Sequence, residues 1–265
     1  MADGTAGQTG LEGRVAVVTG AGRGIGAATA VRLAEAGADV VVAARTEADL
    51  RDVADRIEKA GRKAVVVPAD LSDLAAVASL ADTARATFGR LDVVVNNMGG
   101  AMPRPFLDTT PDQMVASFRF NVATAHALVR AAVPTMLERD GGAIVNVSSV
   151  MGTISGRGYV TYGTAKAALS HYTRLAAQDL APRIRVNAVA PGAIATPALD
   201  MVMDDDRLRT GLEKSTPLRR PGHPDEVADA IVYLASPAAS YITGEVLTIT
   251  GGQVAPNVDL GLPDL

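Results

Sequence analysis

The sequence predicts an α/β fold in which helices cover both faces of a doubly wound, seven-stranded parallel sheet. Three observations predict it. Short apolar, β-branched runs recur along the chain, and each is followed by a longer amphipathic or alanine-rich segment. The runs are continuously hydrophobic instead of alternating, which is the pattern of strands buried on both faces. Finally, 48 % of the 265 residues are hydrophobic, enough to fill one large core.

Taken in order, the first strand is read over 14–20 ("RVAVVTG") and the first helix over 24–36. The turn between them spaces Gly20, Gly24 and Gly26 as T-G-x-x-x-G-x-G. Such a turn lets a diphosphate approach the backbone at a helix N-terminus, where free N–H groups can receive it. The second strand, 39–44 ("DVVVAA"), precedes a helix at 46–60. An acid at its tip would bind a ribose 2′-OH, but the tip reads Ala44, Arg45, with the first acid at Glu47. Arg23 in the glycine turn approaches the same point, so two guanidiniums favour NADP(H), with NAD(H) possible.

The third strand, 63–70, ends on Asp70, an acceptor for an adenine amino group, and is followed by a helix at 73–88. A strand at 91–97 ("LDVVVNN") leads to a helix at 111–138, and one at 143–149 ("AIVNVSS") to a helix at 159–180. After the sixth strand, 184–192, the segment 195–222 is too long for a plain connection and reads as a lid, with Met201 and Met203 available to an apolar ligand. The last helix, 224–235, opens on His223-Pro224 with two acids in its first turn, and the seventh strand is 245–250. The domain is expected to span 12–252, with a flexible lead over 1–11 and a tail over 253–265.

Composition narrows the function. A net charge of −4 without a basic face argues against nucleic-acid and anionic-membrane partners. The chain has no cysteine, so disulfides, thiolate metal sites and cysteine nucleophiles are excluded. No signal-like segment or 18-residue apolar run is present, and the cytoplasm is the expected compartment. His126 and His171 stand apart from one another, and no carboxylate–histidine constellation suggests a metal.

The motifs "TGAGRGIG" (19–26), "NNMG" (96–99), "NVSSV" (146–150), "YGTAK" (162–166) and "PGAIAT" (191–196), in that order, resemble the short-chain dehydrogenase/reductase superfamily across about 14–252. Within it the chain is similar to bacterial hydroxysteroid dehydrogenases and 3-oxoacyl-carrier-protein reductases. The resemblance implies a Rossmann-like domain in which Tyr162 is the general acid/base, Lys166 its partner, Ser149 the substrate-oxygen ligand and Asn121 the fourth catalytic position. It selects Ser149 over Ser148 by the spacing to the tyrosine. It further implies cofactor contacts from Ile25, Leu71, Asn97, Gly99, Pro191, Gly192, Ile194 and Thr196, besides the groups already named, and a homotetramer. Met98 and Thr250 depart from the family's pattern without removing a reactive group.

The chemistry asks for such a set. A phenol with a pKa near 10 donates a proton readily and accepts one only beside positive charge. Positions 162 and 166 share one helix face, so the ammonium, together with an oxidised nicotinamide, is expected to lower the phenol's pKa. Asn121 is expected to hold a water linking Lys166 to solvent. The reaction read from this is ketone–alcohol interconversion on an apolar small molecule, such as a steroid-like or 3-oxoacyl compound. Arg104 or Arg157 could meet an anionic group on it. A non-catalytic dinucleotide-binding regulatory protein is the alternative, and a lyase or epimerase would need an added base that is not evident.

Overall fold

A computed structural model describes residues 10–255 and 261. The remainder of the expected lead and tail, 1–9, 256–260 and 262–265, lies outside the described residues. Leu11, counted above with the lead, belongs instead to the core: it is 3 % exposed, and its N–H donates to the Ala36 carbonyl.

Seven parallel strands form one sheet in the order β3-β2-β1-β4-β5-β6-β7. They are β1 (Val15–Thr19), β2 (Asp39–Ala44), β3 (Ala64–Pro68), β4 (Val93–Asn96), β5 (Gly142–Val147), β6 (Ile184–Pro191) and β7 (Val246–Ile249). Both faces are covered. Val15 and Val17 of β1 enter one core cluster while Ala16 and Val18 enter the other, as the two-residue period of a strand requires. On the Ala16/Val18 face lie α1 (Gly24–Glu35), α2 (Glu47–Lys59) and α9 (Pro224–Ala235); on the Val15/Val17 face lie α3 (Leu74–Phe88), α5 (Thr124–Leu137) and α6 (Val160–Leu180). Leu80 and Leu128 are fully buried between α3, α5 and the sheet, and burial of each side chain is worth about 1.5–3 kcal/mol. The edge strands β3 and β7 are the least buried.

Local signals set the helix ends. Asp73 caps α3 through the Ala75 N–H, and Gly89 ends it in the left-handed conformation. His223 and Glu226 form a capping box at the start of α9, with Pro224 in its first turn. The helix expected over 111–138 is divided: α4 (Pro111–Phe118) passes through a π-turn, Arg119–Ala123, into α5. The Asn121 amide donates to the Ser117 carbonyl, and the Thr124 N–H reaches back five residues to Arg119. A side chain has thus taken over a backbone acceptor, which sequence periodicity cannot register.

The expected lid is not structureless. Its stem is closed by Ala195 N–H to Gly222 C=O and Gly222 N–H to Ala193 C=O, each about 2.8–2.9 Å. Above the stem stand α7 (Asp200–Met203) and α8 (Asp206–Ser215), the latter capped by Asp205. No helix among the described residues is long and apolar enough to cross a membrane.

Candidate active site

The strand order reverses between β1 and β4, so the loops that follow these two strands diverge and leave a crevice at their C-terminal ends. Thr19 and Asn97 hold its base together. The Thr19 hydroxyl accepts from the N–H groups of Asn97 and Met98, while the Asn97 amide donates to the carbonyls of Thr19 and Gly20.

Two serines follow β5, and the structure gives them opposite duties. Ser148 Oγ donates to the Lys166 carbonyl at 2.9 Å and shares a 2.7 Å hydrogen bond with Ser170 Oγ, fastening the strand end to α6. Ser149 Oγ accepts from the Met151 N–H at 3.2 Å and hydrogen-bonds Tyr162. Only Ser149 therefore presents its hydroxyl to the phenol.

Tyr162 and Lys166 lie one turn apart on α6. Lys166 is 2 % exposed; its Nζ donates to the Val147 carbonyl at 2.8 Å and lies 5.7 Å from the centre of the Tyr162 ring. Burial pulls the Lys166 pKa down to about 8. Burial also pushes the Tyr162 phenol up, against the opposing effect of the Ser149 bond. The sequence reading expected a lowered phenol pKa. That expectation included an oxidised nicotinamide; in the protein alone, desolvation outweighs the Ser149 hydrogen bond and the phenol is held protonated.

Asn121 is fully buried, set back from the cleft. Its Oδ1 accepts from the Gly100 N–H at 2.9 Å, and its Nδ2 donates to the carbonyls of Gly100 and Ser117. The Asn121 side chain thus clamps the loop after β4. A side chain at Gly99 would come within 2.6 Å of Lys166 Nζ and 2.7 Å of Asn121 Oδ1, so the loop approaches the lysine only as glycine.

The glycine turn opens α1 with Arg23 as a cap that makes no side-chain bond, which leaves the first-turn N–H groups to an anion. A Cβ at Gly26 would stand 2.2 Å from the Gly20 carbonyl oxygen, so this glycine serves close packing beneath the turn. A cavity of about 540 Å³ on the β2 side is lined by Gly20, Arg23, Arg45, Asp70, Leu71 and Asp49. Asp70 accepts from the Ser72 N–H, and its carboxyl is held low by Ser72 and by the charge of Arg45. Glu47 is engaged by Arg51 at 2.5 Å.

A second cavity of about 370 Å³ lies beside Ser149, Tyr162 and Lys166 and shares Arg23, Asn97 and Gly99 with the first. Ile25, Gly24 and the end of β6 (Pro191, Gly192, Ile194, Thr196) close its far wall. Of the lid, Pro197, Ala198 and Leu199 face this cavity; Met201 is 69 % exposed, and neither Met201 nor Met203 lines it. The helix-terminal amides, the glycine turn and the two linked cavities fit an extended dinucleotide. Sequence reasoning missed the Val147 carbonyl, which carries no side-chain signal. It also missed Asp49 and Phe120, which helix packing brings to the β2-side cavity.

Comparison with known proteins agrees with this fold. A family model described as enoyl-(acyl carrier protein) reductase matches residues 20–253. An uncharacterized oxidoreductase of Mycobacterium tuberculosis is 55 % identical over 96 % of this chain and 97 % of its own. The cis-4-hydroxycyclohexanecarboxylate dehydrogenase of Sinomonas cyclohexanicum is 44 % identical over 91 % and 97 %. Among solved structures, a 7α-hydroxysteroid dehydrogenase complexed with NADH and 7-oxo glycochenodeoxycholic acid superposes with a TM-score of 0.90 at 36 % identity, covering 94 % of this chain and 97 % of that one.

Proposed function

We propose, because this chain belongs to the short-chain dehydrogenase/reductase family, that Ser149, Tyr162 and Lys166 carry its reaction and that NADP(H) is its preferred cofactor. The chain is an oxidoreductase that interconverts a ketone and a secondary alcohol with a nicotinamide dinucleotide. The alternative of a non-catalytic regulatory protein finds no support among these relatives.

The observation that carries the assignment of roles is the convergence of Ser149, Tyr162 and Lys166 on a cavity continuous with the dinucleotide cleft. A dihydronicotinamide held along Gly24, Ile25, Ile194 and Thr196 would supply a hydride to the carbonyl carbon. Ser149 Oγ donates a hydrogen bond to the carbonyl oxygen and holds it against the phenol. Tyr162, kept protonated by its partly dry setting, gives its proton to that oxygen; in the reverse direction it takes the proton back. Lys166 is pinned by Val147 below the tyrosine ring, so its charge is fixed where tyrosinate forms. Asn121 keeps Gly99 and Gly100 in place beside it.

The NADP(H) preference rests on Arg23 and Arg45 at the β2-side cavity, where Ala44 occupies the position of a ribose-binding acid and Glu47 is paired with Arg51. Asp49 borders the same cavity and is the group on which an NAD(H) reading would rest. The substrate is an apolar ketone or alcohol, steroid-like or 3-oxoacyl in kind; the ring compounds named for two relatives support the former. Exposed Val115, Phe118 and Leu175 on one side, and Tyr233, Tyr241 and Leu247 on another, support a homotetramer with two kinds of apolar contact.

Cofactor oxidation across a ketone panel, with NADPH and NADH in parallel, tests the reading. NADPH is expected to give the higher kcat/KM, and Arg45→Ala to shrink the ratio by about 10- to 100-fold, the worth of one or two charge-assisted bonds. Faster turnover of the wild type with NADH overturns the cofactor assignment. Tyr162→Phe should lower kcat by about 10²–10⁴-fold while NADPH still binds, and retained turnover would remove the tyrosine from the chemistry.

A further inference from the structure

Beside the reacting tyrosine, where the loops after β4 and β5 meet, stand two polar groups that the reaction does not use. The chain leaves β4 through residues 99–108 and β5 through 150–159, and the two loops are joined by Arg104 N–H to Gly158 C=O at 3.0 Å. The next residue, Tyr159, starts α6; its ring centre stands 6.4 Å from that of Tyr162, the planes inclined at 52°. One backbone bond therefore places Arg104 beside the aromatic pair to which the reacting phenol belongs.

Neither group is occupied by the protein. The Arg104 guanidinium is exposed and has no hydrogen-bond or ion-pair partner among the described residues; Asp108, the acid of its own loop, makes no ion pair with it. The Tyr159 ring is half-buried, and its hydroxyl likewise has no hydrogen-bond partner among the described residues. Arg119 is engaged by the Ser72 carbonyl, Arg209 by Asp206 and Arg220 by Glu226, while Arg23 and Arg45 line the dinucleotide cavity. Pro103 and Pro105 bracket Arg104, which fixes φ on both sides of it and holds Arg104 itself extended. A cation on so stiff a segment loses little further freedom on binding. Around it Met102, Phe106 and Leu107 are each at least 65 % exposed, an apolar setting for an otherwise unmatched charge.

We propose that Arg104 and Tyr159 form a carboxylate-accepting subsite beside the reacting tyrosine, so that the preferred substrate is a ketone or secondary alcohol whose apolar body bears a carboxylate several bonds from the reacting carbon. A guanidinium offers two parallel N–H donors to one carboxylate, and the phenol adds a third donor and an aromatic face for the body of the molecule. The one Arg104 guanidinium matches a monoanion. The inference rests on the reading of Ser149, Tyr162 and Lys166 as the reaction centre.

The test compares 4-oxocyclohexanecarboxylate with its methyl ester, which keeps the shape and removes the charge. The wild type is expected to favour the acid at least tenfold in kcat/KM. Arg104→Gln should lower that acid-to-ester ratio tenfold or more, mainly through KM; Arg104→Lys should retain part of it; and Tyr159→Phe should lower it a few-fold. A ratio unchanged in Arg104→Gln overturns the subsite. Calorimetric binding of both compounds to Tyr162→Phe, with NADPH and separately with NADH, distinguishes the two readings. An acid that binds more tightly than the ester yet is reduced by no form of the enzyme upholds the subsite and overturns the reaction centre. An ester reduced as well as the acid upholds the reaction centre and overturns the subsite.

Discussion

The two ends of the sheet each bury a charge, and they treat it in opposite ways. At the N-terminal edge Asp92 is 3 % exposed and accepts from Arg14, from both nitrogens of the Arg90 fork and from the Val15 N–H. Burial pushes its carboxyl up, but these donors together hold it below the ordinary carboxylate value. At the C-terminal edge Lys166 is as deeply buried, with no carboxylate against it among the described residues and one carbonyl as its partner, and burial pulls it down to about 8. A compensated charge is scaffold, whereas an uncompensated one is kept at a cost to stability because something else needs it. The neighbouring serines repeat the lesson, since Ser148 is fully committed inside the protein and Ser149 is directed at the tyrosine.

The largest way to break the comparison is to remove each charge. Lys166→Met should lower kcat by about 10³-fold or more, within the range of general acid–base catalysis, and at the same time raise Tm by roughly 2–4 °C at pH 7. A loss of both activity and stability would mean that the lysine is scaffold after all. Asp92→Asn should do the reverse, destabilising the fold by about 3 kcal/mol in denaturant titrations while kcat per folded molecule stays within twofold.

Proton linkage sharpens the contrast. The folded-state pKa of Lys166 is depressed, so between about pH 8 and 10.5 the unfolded chain binds more protons than the native one, and this group's contribution to stability rises with pH. The Tm advantage of Lys166→Met should therefore be full below pH 8 and shrink toward pH 10. An advantage independent of pH would place its origin in packing. The serines give the smallest pair of effects. Ser149→Ala is expected to lower kcat about 10²-fold with little change in Tm, and Ser148→Ala to destabilise by about 1 kcal/mol with kcat changed only a few-fold.

Much of this protein was legible one residue at a time. The seven apolar runs became the seven strands because a strand buried on both faces must be apolar throughout. The capping signal at His223 and Pro224 set the start of α9. The tyrosine–lysine pair could be seen because both residues lie on one helix, where spacing alone fixes the face. What failed to show were features in which a backbone group or a distant side chain decides: the π-turn made by Asn121 on the Ser117 carbonyl, the clamp on Gly100, and the helices inside the lid.

The sequence by itself determined the sheet, its covering helices and the one-turn spacing of Tyr162 and Lys166, since periodicity and local spacing are properties of a single segment. Tertiary structure alone decided that Ser149 faces Tyr162 while Ser148 turns to α6, that Lys166 sits dry against Val147, and that the loop bearing Arg104 is joined to the start of α6. Each of these joins segments distant in the chain, and desolvation, which sets both pKa shifts at the site, exists only once those segments have closed around the group.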